Sequence, residues 1–426
     1  MRFRGITRNV VILGLVSFFT DLSSEMLYPV IPLFVVGSLG ASPALLGLIE
    51  GLAEGISSGL RWIGGLWSDR TGRRKPFVVA GYALSALSKP VMGLAALAIG
   101  WPLFLLGRCG DRFGKSVRTA ARDALIADSS EPVHRGAAFG FHRAVDTCGA
   151  ALGPLAALVT LTINPNIPLS WLFFIAFLPG LCSVFTATLG VREIRLERPE
   201  NIDGDKRKFC DRSEAAISTP PDSTHAVSHR DARSSLPRSF WLLLTAFAVF
   251  SLGNSSDSFL ILRSKELGLS FTQVLLAYML FNAIYAAAAA PLGRLSDRIG
   301  RAPIIVVGWT VYAAVYGGFA AFRSPLAPWA LLALYGLYQA LTEGVLKAMV
   351  SDVVPRARRA GAIGLLAAVG GLGQLAASIL AGAVWHVHIF DQTLMLPFVI
   401  GALCALAAIV ILLIAAVRRS ATEPPC

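Results

Sequence analysis

Twelve stretches of this chain are apolar for about as long as a helix needs to cross a lipid bilayer, and no other feature restricts its fold so severely. A hydrocarbon core of about 30 Å takes about 20 apolar residues of helix. Inside it, every backbone N–H and C=O must be satisfied within the protein. The stretches run over 10–37, 44–67, 76–97, 101–122, 136–161 and 169–190, then 240–262, 271–293, 302–321, 326–348, 360–385 and 393–417. With 55% hydrophobic and 15% charged residues and a mean hydropathy of +0.63, the chain could not present its surface to water without large apolar patches. The first stretch is too long for a signal-peptide core and holds Asp21, Glu25, Pro29 and Pro32, so it is expected to be retained as segment 1 of twelve.

The basic residues fix the expected orientation. Arg2, Arg4 and Arg8 precede segment 1; Arg70, Arg73, Arg74 and Lys75 follow segment 2; Arg298 and Arg301 follow segment 8; Arg356, Arg358 and Arg359 precede segment 11; Arg418 and Arg419 follow segment 12. All of these fall on one side of an alternating path. The opposite loops are short and nearly uncharged, apart from Arg263, Lys265 and Arg323. The positive-inside rule then puts both termini in the cytoplasm, in a multi-pass protein of the inner membrane. It also accounts for the net charge of +12 without a nucleic-acid partner.

The expected division is a six-helix bundle over 1–190, a flexible cytoplasmic linker over 191–238, a second bundle over 239–417 and a short tail over 418–426. The linker carries ten Lys or Arg and nine Asp or Glu, a near-balance that suits a tether better than a lipid anchor. Six scattered cysteines have no metal-ligand spacing and read as free thiols. His386 and His388 alone make a poor metal site, so neither metal nor cofactor is expected.

Two junctions repeat. Asp69-Arg70-Thr71-Gly72-Arg73 recurs 228 residues later as Asp297-Arg298-Ile299-Gly300-Arg301, each copy with a glycine, Gly65 or Gly293, four residues before its aspartate. Asp128 and Asp352, 224 residues apart, form a second echo, each ahead of a basic loop and a Gly-rich helix start. Half-chain symmetry of this kind is a mark of secondary transporters.

With Gly65-Leu66-Trp67-Ser68-Asp69-Arg70-Thr71-Gly72-Arg73-Arg74-Lys75 between segments 2 and 3 and its echo between segments 8 and 9, the chain resembles the major facilitator superfamily over all twelve spans. The resemblance implies an all-α membrane fold of two pseudo-symmetric six-helix halves that alternate access by rocking. It also implies a conformational latch, with Asp128 pairing with Arg73 and Asp352 with Arg301. Asp69 and Asp297 are expected to face helix N-termini of the opposite half, near Gly361 and Gly136 respectively.

In segment 5, Gly140, Gly149, Gly153 and Pro154 match the spacing of the family's antiporter motif, although Ala157 and Leu158 stand where a further glycine pair is usual. Small residues let helix backbones approach and Pro154 permits a bend. The Pro29-Val30-Ile31-Pro32 pair resembles one found among drug-efflux members.

The first half is dense in charge at membrane depth. Segment 4 carries Arg108, Asp111, Arg112 and Lys115 on one stripe; segment 5 carries His142, Arg143 and Asp146; segment 1 carries Asp21 and Glu25; segment 2 carries Glu50, Glu54 and Arg61. A charge at the bilayer centre costs about 2.5 to 3.5 kcal/mol on insertion scales, so these side chains must face a wet cavity or one another. Asp21 and Glu25, then Asp111 and Asp146, are the candidates for proton coupling, because burial and a movable cation can bring a carboxyl into a useful titration range. Glu50, Glu54, Arg108, Arg112, Lys115, His142 and Arg143 are candidates for substrate contact or internal ion pairs, the basic ones being suited to an anionic group. The second half offers only Asp257, Glu343 and Lys347, the last two at i, i+4.

No paired catalytic acids, nucleophile elbow or ligand cluster points to an enzyme. The expected function is proton-coupled export of a small organic molecule by a monomer whose partners are the bilayer, that substrate and protons. An organic-anion symporter and a non-transporting assembly or sensory protein are the alternatives.

Overall fold

The computed structural model describes residues 6–71, 73–97, 100–131, 135–193, 236–355, 358–389 and 394–422. The first half contains α1 (Arg8–Leu27), the short α2 (Ile31–Leu33) with a π-turn over Phe34–Ser38, α3 (Pro43–Thr71), α4 (Lys75–Leu94), α5 (Trp101–Asp128), α6 (Arg135–Ile163) and α7 (Leu169–Gly190). The second contains α8 (Arg238–Gly253), α9 (Ser258–Glu266), α10 (Phe271–Ile299), α11 (Arg301–Ala321), α12 (Ala327–Val353), α13 (Arg359–Ala383) and α14 (Leu396–Thr422). Counting α1 with α2, and α8 with α9, gives twelve helical units. Among the described residues, the one departure from an all-helical fold is an antiparallel pair of two-residue strands, His388–Ile389 and Leu394–Met395.

Nine of the described helices are long and apolar enough to cross a membrane. The three that fall short are α3, α5 and α12, and α5 alone carries eight charged side chains, from Arg108 to Asp128. Several helices run beyond the apolar stretch that announces them. For example, α10 continues to Ile299 and α5 to Asp128, because nothing in their polar last turns breaks a helix. Likewise α14 reaches Thr422, past the expected start of the tail. Most of the expected linker lies outside the described residues.

Prolines and glycines place the interruptions. Pro29 and Pro32 lack the N–H groups that would bond the carbonyls of Glu25 and Tyr28, so α1 stops at Leu27 and the chain resumes as α2. Gly300 ends α10 and starts α11 with φ +96° and ψ 154°, a conformation essentially reserved for glycine. In the second copy of the repeated pentapeptide, the glycine is therefore the residue that turns one helix into the next.

Within each half, neighbours in sequence pack closely, α4 on α5 and α11 on α12, while α1 packs on α6 and α7. The halves meet along α3 and α13, where small residues bring the backbones together: Gly47 and Gly51 lie against Ser378 and Leu375, and Gly371 and Gly382 against Ser58 and Pro43. With α2 against α9, this places the closed contact toward the face opposite the chain ends. Toward the other face polar side chains of both halves are accessible, with Arg143 67%, Lys347 58% and Glu343 47% exposed.

Candidate functional site

The antiporter-like glycines act on α1. A methyl group on Gly149 would strike the carbonyl of Phe18, and one on Gly153 would lie 2.7 Å from the backbone nitrogen of Met26, whereas Gly140 has open space beside it. Two of the three glycines thus hold α6 against α1 at backbone distance, with Pro154 in the same turn. Next to the Gly149 crossing, Asp21 on α1 and Asp146 on α6 bring two carboxyl groups together. Two carboxyls in contact can hydrogen-bond to each other only when they share a proton, since an ionised carboxylate is an acceptor alone.

Asp146 also takes Arg143, Nη1 to Oδ2 at 3.3 Å. His142, four residues before Asp146, lies instead against Ser17, Nε2 to Oγ at 2.8 Å, and the same hydroxyl lies 3.1 Å from Arg122 and 3.2 Å from Tyr82. Glu25, one turn beyond Asp21, reaches across to the second half and accepts a hydrogen bond from Tyr278 at 3.0 Å.

The helix α5 stripe divides in two. Its upper part is locked: Arg108 donates to both oxygens of Glu50 at 2.9 Å, with the paired side chains 5% and 3% exposed. Asp111 lies 3.9 Å from Arg108 and 3.8 Å from Lys89, and accepts from the Ser85 hydroxyl. The geometry gives Asp111 the setting of an internal ion pair, unlike that of Asp21. Lower on the stripe, Lys115 is exposed, and neither it nor Arg112 has an ion-pair partner within 4 Å among the described residues. The Nε of Arg112 is buried without a hydrogen-bond partner there. Glu54 accepts from Ser58 at 3.2 Å.

Sequence reading missed Lys89, the only charge between Lys75 and Arg108 and 1% exposed. It also missed Tyr278 and Tyr335, though Tyr285 is among the second-half residues it expects to supply neutral hydrogen bonds. Asp257 accepts from Tyr335 at 2.6 Å, and Glu343 from Tyr285 at 2.7 Å while pairing with Lys347 at 3.4 Å. A count of charges cannot find neutral donors such as Tyr278 and Tyr335.

In the second-half junction, Arg301 bonds Asp352 at 3.2 Å as the echo predicts, and also takes Asp297, of its own half, and Ser296. Asp297 is 58% exposed, with Arg298 exposed beside it. The first-half copy differs. Asp128 pairs with Arg74, Nε to Oδ2 at 2.6 Å, one residue beyond the expected Arg73. The register shifts because Glu193, just after α7, accepts from the backbone N–H groups of both Arg74 and Lys75 and so holds the start of α4. The side chains of Asp69 and Arg70, Gly65 as a packing residue, Arg61, and all of Gly72 lie outside the described residues. Gly293 lines a cavity between α10 and α12 that also reaches Asp297 and Arg301.

A family model for the Major Facilitator Superfamily matches residues 13–263 and 243–425. An uncharacterized MFS-type transporter of Methanocaldococcus jannaschii is 34% identical over 390 residues, 90% of either chain. The multidrug resistance protein MdtH of Salmonella paratyphi B is 30% identical over 132 residues, 30% of this chain and 31% of that one. Among solved structures, a D-xylose-proton symporter shares the fold, with a TM-score of 0.68 at 17% identity over 95% of this chain and 96% of its own. A chain matched by the family model along nearly its whole length, and by a relative this similar over nine-tenths of it, belongs to the major facilitator superfamily.

Proposed function

We propose that the protein exports a small organic molecule across the cytoplasmic membrane by alternating access, in exchange for protons, with both chain ends cytoplasmic and a single copy sufficient. The observation that carries this reading is the Asp21–Asp146 pair. It sets two carboxyl groups, which can share a proton, at membrane depth where α1 and α6 cross, flanked by Arg143 and the accessible Lys115. Rocking of the halves changes the water and the charges that this pair meets, which is what coupling requires. The partial likeness to a multidrug resistance protein and the two α1–α6 glycine contacts favour export.

Reconstitution in liposomes with an imposed pH gradient tests the proposal. Substrate-dependent proton flux should reverse with the gradient and vanish in Asp21→Asn and Asp146→Asn. The C=O band of a protonated carboxyl in difference infrared spectra should vanish in both variants. Flux of substrate with protons, rather than against them, would replace export with symport. Gradient-independent substrate movement with that band absent from the wild type would remove proton coupling.

A further inference from the structure

Between α8 and α9 the helical backbone is interrupted at membrane depth. Asn254, Ser255 and Ser256 are non-helical, between Gly253 and the turn at Asp257. Unwound backbone in a membrane segment persists only where it is buried in protein or lines a cavity. Here three tyrosines hold it: Tyr312 donates to the Gly253 carbonyl at 2.9 Å, Tyr335 to Asp257 Oδ1 at 2.6 Å, and Tyr316 lies 3.3 Å from the Ser255 hydroxyl. Ser378 caps Ser256 N–H at 3.0 Å.

After those bonds are made, what is left at the break accepts hydrogen bonds. The side-chain oxygen of Asn254 is buried with no partner among the described residues. Asp257 is partly exposed and has no cationic partner within 4 Å among them. Asn254 lines a cavity of about 300 Å³ with Phe250, Tyr338, Gln339 and Leu366. The one cation on that cavity, Lys347, is paired with Glu343. Tyr338 packs on Tyr335, the partner of Asp257, at 5.2 Å between ring centroids, so the carboxylate and the cavity are one ring apart. Phe250 stacks on Trp309 at 5.0 Å, which makes the apolar wall rigid.

A buried acceptor without a donor, an acid without a cation and an aromatic wall call for one chemistry. The ligand must bring N–H donors and positive charge on an apolar body. We propose that this break and its cavity form a binding site for a protonated amine carried on an aromatic or apolar body. Asn254 accepts one N–H, Asp257 supplies the counter-charge, and Phe250 and Tyr338 cover the body. A quaternary ammonium lacks the N–H that Asn254 needs, and an organic anion meets Asp257. This names the substrate class within the transport reading and rests on it, but its binding test needs no gradient.

The test is equilibrium dialysis of the full chain in nanodiscs, corrected with empty nanodiscs. The probes are 2-(1-naphthyl)ethylamine, its N,N,N-trimethyl form, its alcohol analogue and 3-(1-naphthyl)propionate. The wild type should bind the primary amine tightest. Asp257→Asn should weaken the amine about 10- to 100-fold, the range of a charged hydrogen bond. Asn254→Leu should weaken the primary amine but not the trimethyl form, and Asp257→Asn should not move the alcohol, whose retained binding shows an intact cavity. If the alcohol or the propionate binds as tightly as the amine in the wild type, the site is refuted. That ranking decides even if Asp257→Asn does not fold. Correct ranking without pH-driven flux overturns the export reading and keeps the site; pH-driven flux of a non-amine, unchanged in Asp257→Asn, does the reverse.

Discussion

Replacing Arg108 by Met should be among the most damaging single changes in the first half, and removing its partner at the same time should restore most of the loss. Glu50 receives two parallel N–H bonds at 2.9 Å and its side chain is 3% exposed, so water does not replace a lost guanidinium. Each charge-assisted bond is worth about 1.5 to 3 kcal/mol, and breaking a buried pair on one side costs about 3 to 5 kcal/mol. Arg108→Met should fall in that upper range, because Asp111 at 3.9 Å also loses a cation. In the double variant Glu50→Leu, Arg108→Met no uncompensated charge remains at Glu50, and swapping a buried pair for apolar side chains is often neutral or stabilising. The assay is a double-mutant cycle on unfolding in mild detergent, with transport measured in parallel. A coupling of about 3 kcal/mol or more, with transport retained in the double variant, marks the pair as internal structure. Additive losses, or a stable double variant that no longer moves substrate, would refute the argument and make Glu50 or Arg108 a substrate contact.

The α1–α6 crossing predicts that Gly153→Ala, whose methyl would press on the backbone at Met26, lowers the unfolding temperature and abolishes proton-coupled flux, while Gly140→Ala, with open space, changes neither. The protonated-carboxyl infrared band should weaken in the first and persist in the second; equal behaviour of the two would separate the glycines from the Asp21–Asp146 geometry. At the junction, Gly300→Ala forces a side chain into a φ of +96° and should cost about 1 to 3 kcal/mol, whereas Gly317→Ala, in open space inside α11, should gain up to about 1 kcal/mol, both read by unfolding.

Membrane helices were legible because a bilayer demands apolar length, and length survives in a linear sequence. Helix ends were less so, since helices such as α10 carry on through polar residues once nothing stops them. The Arg301–Asp352 bond was visible through the repeat, but Arg74 displaced Arg73 at Asp128 through Glu193, a residue of the apparent linker. Gly149 and Gly153 announced a close helix crossing without saying what lay opposite. Asp21 and Asp146 are far apart in sequence and on different helices, so only packing brings them together. Lys89 was in plain sight as a lone charge in an apolar stretch, yet its tie to Asp111 depends on the α4–α5 contact.

The two halves satisfy their buried acids by different means, and the difference bears on what they can bind. In the first half Glu50 meets Arg108 and Asp111 meets Lys89, so charge cancels charge at rest. At the interface and in the second half, Glu25 meets Tyr278 and Asp257 meets Tyr335. A phenol hydroxyl satisfies an oxygen's hydrogen bonding but leaves the carboxylate charge in place. Tyr28 stacks on Tyr278 at 5.5 Å between centroids, so rings border the acid on the first-half side as well. A cation entering between the halves thus finds negative charge that the protein has positioned but not neutralised. On the proposed reading, the duplicated junctions serve a motion common to both halves, and the unequal treatment of acids would give that motion a cargo on one side and a proton on the other.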